Sequence, residues 1–220
     1  MRISTGFIAA AAMLGLAPAA ANAATVVLTF EGLGDNAPIG DYYNGGAGGN
    51  YGISFGSSSL ALIQNTSGGS GNFSNAPSGN TVAYFLTGSG AVMNVAAGFN
   101  TGFSFFYADQ VGFTGNIQVY DGLNGTGNVL ASLSLPSTPN PYTVFAPIGV
   151  AFAGTAKSVL FGGSANYIAF DNITLGAATP VVTTAVPEAA TWAMMMVGLG
   201  AVGGTMRRRG KVRTRVAYAA

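Results

Sequence analysis

Six carboxylates supply all the acid chemistry of the central part of this chain: Glu31, Asp35, Asp41, Asp109, Asp121 and Asp171. The chain has no histidine and no cysteine. The commonest general base and metal ligand at neutral pH is therefore missing, as are a thiol nucleophile and any disulfide framework. No histidine stands ready to activate a serine, so nucleophilic catalysis is poorly supported. Two carboxylates flanking a glycosidic bond can hydrolyse it, but nothing in the spacing of these six selects a pair. Glu31 and Asp171 form the most informative constellation. Glu31 ends the first apolar run of the domain and Asp171 lies in the last. First and last strands of a jelly roll often lie together, tied by calcium, and calcium takes hard oxygen ligands from carboxylates and carbonyls. The pair is a candidate calcium site, with Asp35 or Asn172 completing the shell. The plainer reading has both acids facing solvent or capping turns. Tyr42, Tyr43 and Tyr51 crowd one glycine-rich loop together with Asn44 and Asn50. Aromatic rings with amides around them suit sugars, so this loop is a candidate ligand face. Ordinary packing of loop aromatics on the end of the domain is the alternative.

The elements that would position these groups are strands. The run Thr25-Val26-Val27-Leu28-Thr29-Phe30-Glu31 is β-branched and apolar. A long loop follows, and then short strand candidates recur over residues 51–55, 60–64, 81–86, 91–96, 101–108, 116–120, 128–135, 142–145, 158–161 and 167–175. Turn residues separate nearly all of them, as in Ser67-Gly68-Gly69-Ser70-Gly71 and Asp121-Gly122-Leu123-Asn124-Gly125. Phe103, Phe105 and Tyr107 share one parity around Ser104, while Val129, Ala131, Leu133 and Leu135 alternate with Ser132 and Ser134. The pattern predicts an all-β fold, an antiparallel β-sandwich of jelly-roll type. Ile168 and Phe170 have one parity and Ile173 and Leu175 the other, which predicts a bulge near Asp171–Asn172.

The two ends read as targeting signals. Arg2, the apolar run from Gly6 to Ala17 and Ala21-Asn22-Ala23 form a secretory signal peptide, residues 1–23. The domain spans 24–178, and a threonine-rich linker over 179–185 would hold it off the membrane. Residues 189–206 carry no charge. As a helix they would extend roughly 27 Å, near the thickness of a bilayer core, with Trp192 at the headgroup level. Arg207, Arg208 and Arg209 follow, then Lys211, Arg213 and Arg215 in a basic tail over 211–220. Such a cluster resists translocation and stays cytoplasmic. Apart from the ends, six acids stand against Lys157 alone between Ala24 and Ala185, a net charge of −5. That balance excludes a nucleic-acid surface, which needs cations on phosphates.

Taken in order, Val186-Pro187-Glu188, Trp192-Ala193-Met194-Met195, the glycine-rich span and the arginine cluster resemble the sorting signal of PEP-CTERM proteins, over 186–210. Ala189 stands where the usual motif has a second proline. The resemblance implies recognition at Pro187-Glu188 by an exosortase-type enzyme, transient anchoring through 189–206, cleavage, and release to the cell surface. Similar tails occur on some proteins called ice-binding. The central domain resembles the lectin-like β-sandwich cargo of such proteins, on Thr29-Phe30-Glu31-Gly32, Gln118-Val119-Tyr120-Asp121-Gly122 and Ala169-Phe170-Asp171-Asn172-Ile173-Thr174-Leu175. The expectation is an exported, non-enzymatic surface protein associated with exopolysaccharide or biofilm matrix. A module for a specific glycan and an ice-binding surface are the rivals, although no regular Thr-x-Thr ladder is present. Calcium is the only cofactor this reading suggests.

Overall fold

The computed structural model describes residues 25–86, 90–110, 112–163 and 165–183, together with 196, 197 and 199. The chain opens with β1 (Val26–Leu28), the small hairpin β2 (Asn44–Gly46) and β3 (Gly49–Asn50), then β4 (Ile53–Phe55) and β5 (Ser59–Ile63). β6 (Thr81–Phe85), β7 (Gly90–Phe99), β8 (Gly102–Asp109) and β9 (Gly115–Tyr120) follow. β10 (Val129–Leu135), β11 (Ala146–Ala151), β12 (Ala156–Gly163) and β13 (Ile168–Leu175) close the domain. One sheet runs β11-β8-β13-β6-β5, with β1 also on β13; the other runs β10-β9-β12-β7-β4. All the strand pairings are antiparallel. The fold is the expected antiparallel sandwich. The proposed signal peptide lies outside the described residues, as does nearly all of the C-terminal span.

Alternation places the core. Phe103 and Phe105 of β8 point inward and meet Phe161 of β12 at 6.1 and 6.3 Å between ring centroids, while Phe161 meets Phe170 of β13 at 5.2 Å. These rings join the two sheets through edge and tilted contacts, the arrangement their quadrupoles favour. In β10 a register shift between Val129 and Ala131 takes Val129 off the inward face, and it ends exposed.

The expected strand over 142–145 is instead a turn. Tyr142 has φ 54, which no extended strand allows. The strand forms later, as β11, at the edge of its sheet, the position where a strand tolerates a proline such as Pro147.

The bulge in β13 is present. Its register against β8 shifts between Asp171 and Thr174, and Asn172 adopts φ 46. On its other side β13 pairs with β6 at Phe170 and with β1 from Ile173 to Leu175. The bulge thus sits where the neighbouring strand changes.

Residues 177–183 fold back over this sheet. Ser104 Oγ donates to the Ala177 carbonyl (2.8 Å), Asn172 Nδ2 to the Val181 carbonyl (2.9 Å), and Val181 N–H to Thr174 Oγ1 (3.3 Å). A Cβ at Gly149 would overlap the Ala178 carbonyl, so glycine there permits the close approach. This strap explains why Ser104, Asn172 and Thr174 are buried although they face away from the core. Residues 179–183 of the segment expected as a linker, 179–185, thus run along this sheet.

Candidate functional site

Glu31 and Asp171 come together at the junction of β1, β6 and β13, with the turn before β6 between them. Asp171 Oδ2 accepts the Ser78 N–H (2.8 Å), and Oδ1 accepts Ser78 Oγ–H (2.8 Å) and the Asn172 N–H (2.7 Å). Glu31 Oε1 accepts the N–H groups of Asn80 (3.0 Å) and Thr81 (2.8 Å). The two carboxylates therefore clasp the turn from Ser78 to Thr81. Burial pushes the Asp171 carboxyl up to about 7, opposed by the hydrogen bonds from Ser78 and Asn172 and reinforced by the charge of Glu31. Desolvation also raises Glu31, against the hydrogen bonds from Thr81 and Asn80.

Calcium takes about 6–8 oxygens. Here the carboxylates already accept N–H and O–H donors; further oxygens beside them include Ser78 Oγ, the Thr29 carbonyl it reaches at 3.4 Å, and Thr81 Oγ1, 3.4 Å from Glu31 Oε2. The residues expected to complete the shell are engaged elsewhere. Asp35 accepts Ile63 N–H (2.9 Å), Ser70 Oγ–H (2.7 Å) and Asn36 Nδ2–H (2.9 Å). Asn172 holds the strap. Among the described residues no group of three acids forms a metal cluster.

The three loop tyrosines have different fates. Tyr43 is buried, and its hydroxyl accepts the Phe30 N–H at 2.7 Å. It is a core residue and offers no platform. Phe30 has φ 62, which removes its N–H from any ladder and creates the need for that acceptor. Tyr42 donates its hydroxyl to the Glu31 carbonyl (2.7 Å). Tyr51 alone is well exposed, beside an apolar hollow of about 140 Å³ that includes Val26, Val95 and Leu175. The run Gly52-Ile53-Ser54-Phe55-Gly56 has the spacing of a serine-nucleophile turn, yet Ser54 lies within β4 opposite Asn94 and not at a strand-to-helix turn.

Sequence reasoning missed a cleft. Asn72, Gln110, Pro141, Tyr142, Asn166 and Tyr167 surround an open space of about 430 Å³. An adjoining recess of about 60 Å³ reaches inward to Leu62, Phe73, Tyr84 and Ile168. Tyr142 is fixed by three hydrogen bonds: its N–H to the Asp109 carbonyl (3.3 Å), its carbonyl from Ser74 N–H (2.9 Å), and its hydroxyl to the Tyr167 carbonyl (3.2 Å). Burial raises its hydroxyl pKa, and the Asp109 charge adds to the rise. Tyr142 and Asn166 both hold left-handed backbone, at φ 54 and 66, a strained choice for a tyrosine that such packing must enforce. Tyr167 is 37% exposed, and its ring lies flat on Phe113 at 3.8 Å and 9°. Asp109, buried behind the cleft, accepts Thr138 N–H and Oγ–H (both 2.6 Å) on Oδ1, while Oδ2 has no partner among the described residues.

Residues 185–209 match the PEP-CTERM protein-sorting motif. The chain carries a PEP-CTERM sorting signal. That signal marks a protein exported across the inner membrane and sorted by an exosortase to the cell surface or beyond. Val186, Pro187, Glu188, Trp192 and Arg207 to Arg209 fall within it but outside the described residues. Met196, Val197 and Leu199 of the same signal are helical, with exposed apolar side chains. Among the described residues no helix is long and apolar enough to cross a membrane. No curated protein matches the chain. Similar solved structures include a family 6 carbohydrate-binding module, 16% identical, covering 56% of this chain and 85% of that one at TM-score 0.36. CBM35 from Paenibacillus barcinonensis is 18% identical over 57% of this chain and 93% of that one, at 0.35. A glycoside hydrolase family 43 arabinoxylan arabinofuranohydrolase from Bacillus subtilis is 19% identical over 53% of this chain, at 0.37; the match spans only 24% of the enzyme. The sandwich is established by this chain's own strand pairing, and these partial likenesses add no site residue to it.

Proposed function

We propose that this PEP-CTERM protein is a surface protein that works by binding and not by catalysis, and that it associates with exopolysaccharide after sorting. The observation that carries the reading is the sorting signal at 185–209 joined to a β-sandwich. An exosortase-type enzyme recognises Pro187-Glu188, the span 189–206 holds the precursor in the membrane, and Arg207 to Arg209 keep its end cytoplasmic. The absence of histidine and cysteine from the whole chain supports a binding role. The acidity of residues 24–185 supports a partner other than nucleic acid.

Two measurements on material from the producing cell test this. The intact mass of the surface protein is expected to lack the arginine cluster, and the protein is expected to co-sediment with the exopolysaccharide. A product that retains Arg207 to Arg209 overturns the sorting step. A correctly processed protein absent from the polysaccharide fraction overturns the association.

A further inference from the structure

We propose that the cleft between Asn72, Gln110, Tyr142, Asn166 and Tyr167 binds an uncharged, hydroxyl-rich glycan that bears a small apolar substituent. The proposal rests on the surface-glycan reading above and gives it a place.

The polar groups of the cleft point to hydroxyls. The side-chain amides of Asn72, Gln110 and Asn166 are exposed and make no hydrogen bond with the described residues. Each amide offers both donors and an acceptor, which matches a sugar hydroxyl that is itself both. The aromatic groups supply the apolar contact. Phe113 covers one face of the Tyr167 ring and fixes its plane, so Tyr167 enters the cleft as an oriented plate. Tyr142, held at three points, forms a rigid wall. A wall that needs no ordering when a ligand arrives loses less affinity to entropy.

Charge selects among ligands. Among the described residues no charged side chain lines the cleft. The nearby carboxylate, Asp109, is buried and carries an oxygen without a partner. Phosphate, sulfate or uronate groups find no cation here, which also disfavours a nucleic-acid strand stacking on the tyrosines. The space of about 430 Å³ lies within the roughly 300–1,000 Å³ typical of small-ligand sites. The recess of about 60 Å³ has Leu62, Phe73, Ile168 and Ala169 as apolar walls, with Asn72, Tyr84, Tyr142 and Asn166 also lining it. An acetyl group suits such a mixed lining, its methyl against the apolar walls and its carbonyl beside the amides, and burial of that methyl favours the substituted glycan.

The test uses the exported, processed protein with labelled side-chain amides. It is titrated with acetylated xylo-oligosaccharides, the same oligosaccharides after deacetylation, and oligogalacturonate. The expected result is movement of the Asn72, Gln110 and Asn166 amide signals with both xylo-oligosaccharides, at least threefold tighter binding of the acetylated form, and no movement with oligogalacturonate. Tyr167→Ala is expected to weaken binding at least tenfold. Asn72→Ala, at an exposed position with no internal bond to lose, is expected to weaken it severalfold without altering the fold. Signal changes around Tyr51 with none at the cleft overturn the proposal, as do wild-type affinities in both variants or equal binding of oligogalacturonate. Retention of both variants by the producer's exopolysaccharide at wild-type strength removes the cleft but leaves the surface-glycan reading standing. Failure of the wild-type protein to be retained removes that reading, and the cleft proposal with it.

Discussion

Raising the pH from 4 to 8 is expected to destabilise the folded domain, with Asp171 as the main cause. Its carboxyl titrates near 3.8 in an ordinary setting and is pushed to about 7 in the sandwich, first by burial. A shift of roughly three units corresponds to about 4 kcal/mol at ~1.36 kcal/mol per unit. Below about pH 4 both folded and unfolded chains hold the proton, and this part of the stability is fully present. Between pH 4 and 7 the unfolded chain releases the proton while the folded one keeps it, so stability falls as pH rises. Above pH 7 both are ionised and the loss is complete. Glu31 is raised and acts in the same direction. Asp35 and Asp121 act the other way. Although burial opposes it, hydrogen bonds from Ile63 and Ser70 hold Asp35 low, and those from Asn128 hold Asp121 low. Both sit near the surface, where such effects are small. A change of about 4 kcal/mol is large against total stabilities of roughly 5–15 kcal/mol. Urea unfolding of the mature protein at intervals from pH 4 to 8 measures it. Asp171→Asn is expected to flatten the profile between pH 5 and 7, because no proton remains to be held there. The same variant loses stability at low pH, because its amide nitrogen must face an N–H donor, Ser78 or Asn172. A wild-type profile that rises or stays level from pH 5 to 7 refutes the reasoning, as does an undiminished slope in Asp171→Asn.

Asn172→Gly keeps the left-handed backbone of the bulge but removes the hydrogen bond to the Val181 carbonyl. At about 1 kcal/mol for that bond, exchange of the Val181 amide hydrogen is expected to quicken by roughly fivefold with the core amides unchanged; unchanged exchange at Val181 would show that Asn172 does not hold the strap. If Glu31 and Asp171 share calcium, the ion raises the melting midpoint by several degrees at about 100 times its dissociation constant, from about 2.7 kcal/mol, and Asp171→Asn abolishes the rise. Equal midpoints in calcium and in chelator leave the pair as the clasp on Ser78 to Thr81 and nothing more.

The strands were legible where side chains alternate cleanly. Phe103, Phe105 and Tyr107 declare β8, and the change of parity between Phe170 and Ile173 declares the bulge in β13. β11 was not legible, since Ala146-Pro147-Ile148-Gly149-Val150-Ala151 has no period-two contrast. Its glycine answers to Ala178, a contact made only when the strap has folded back. Tyr43 was open to two readings, part of a ligand face or an aromatic packed on the end of the domain; the N–H of Phe30, whose need for an acceptor only the folded backbone reveals, holds it in the core. The pairing of Glu31 with Asp171 was anticipated, but their loop partners were not, because Ser78 and Thr81 lie about fifty residues from Glu31 in sequence. The cleft left no local signal. Asn72, Gln110, Tyr142 and Tyr167 are scattered along the chain and meet only through the topology of four connections.

The strap changes how the domain and its sorting signal are joined. A linker over 179–185 was expected to hold the sandwich away from the membrane, yet Val181 is hydrogen-bonded to Asn172 and Thr174, and Thr183 reaches Asn172 at 3.5 Å. The signal begins at residue 185. At ~3.3–3.6 Å per residue at full extension, the first residue of the signal lies within about 7 Å of the last strap residue. An enzyme acting at this signal must therefore work beside the sandwich or pull the strap free. The strap is fastened by a few side-chain hydrogen bonds and belongs to no sheet. Each bond contributes about 1 kcal/mol, so release costs a few kcal/mol and leaves both sheets intact. Release would uncover Ser104, Asn172 and Thr174, whose polar groups water can satisfy, so the cost of freeing the signal from the domain lies in these few bonds and not in the sheets.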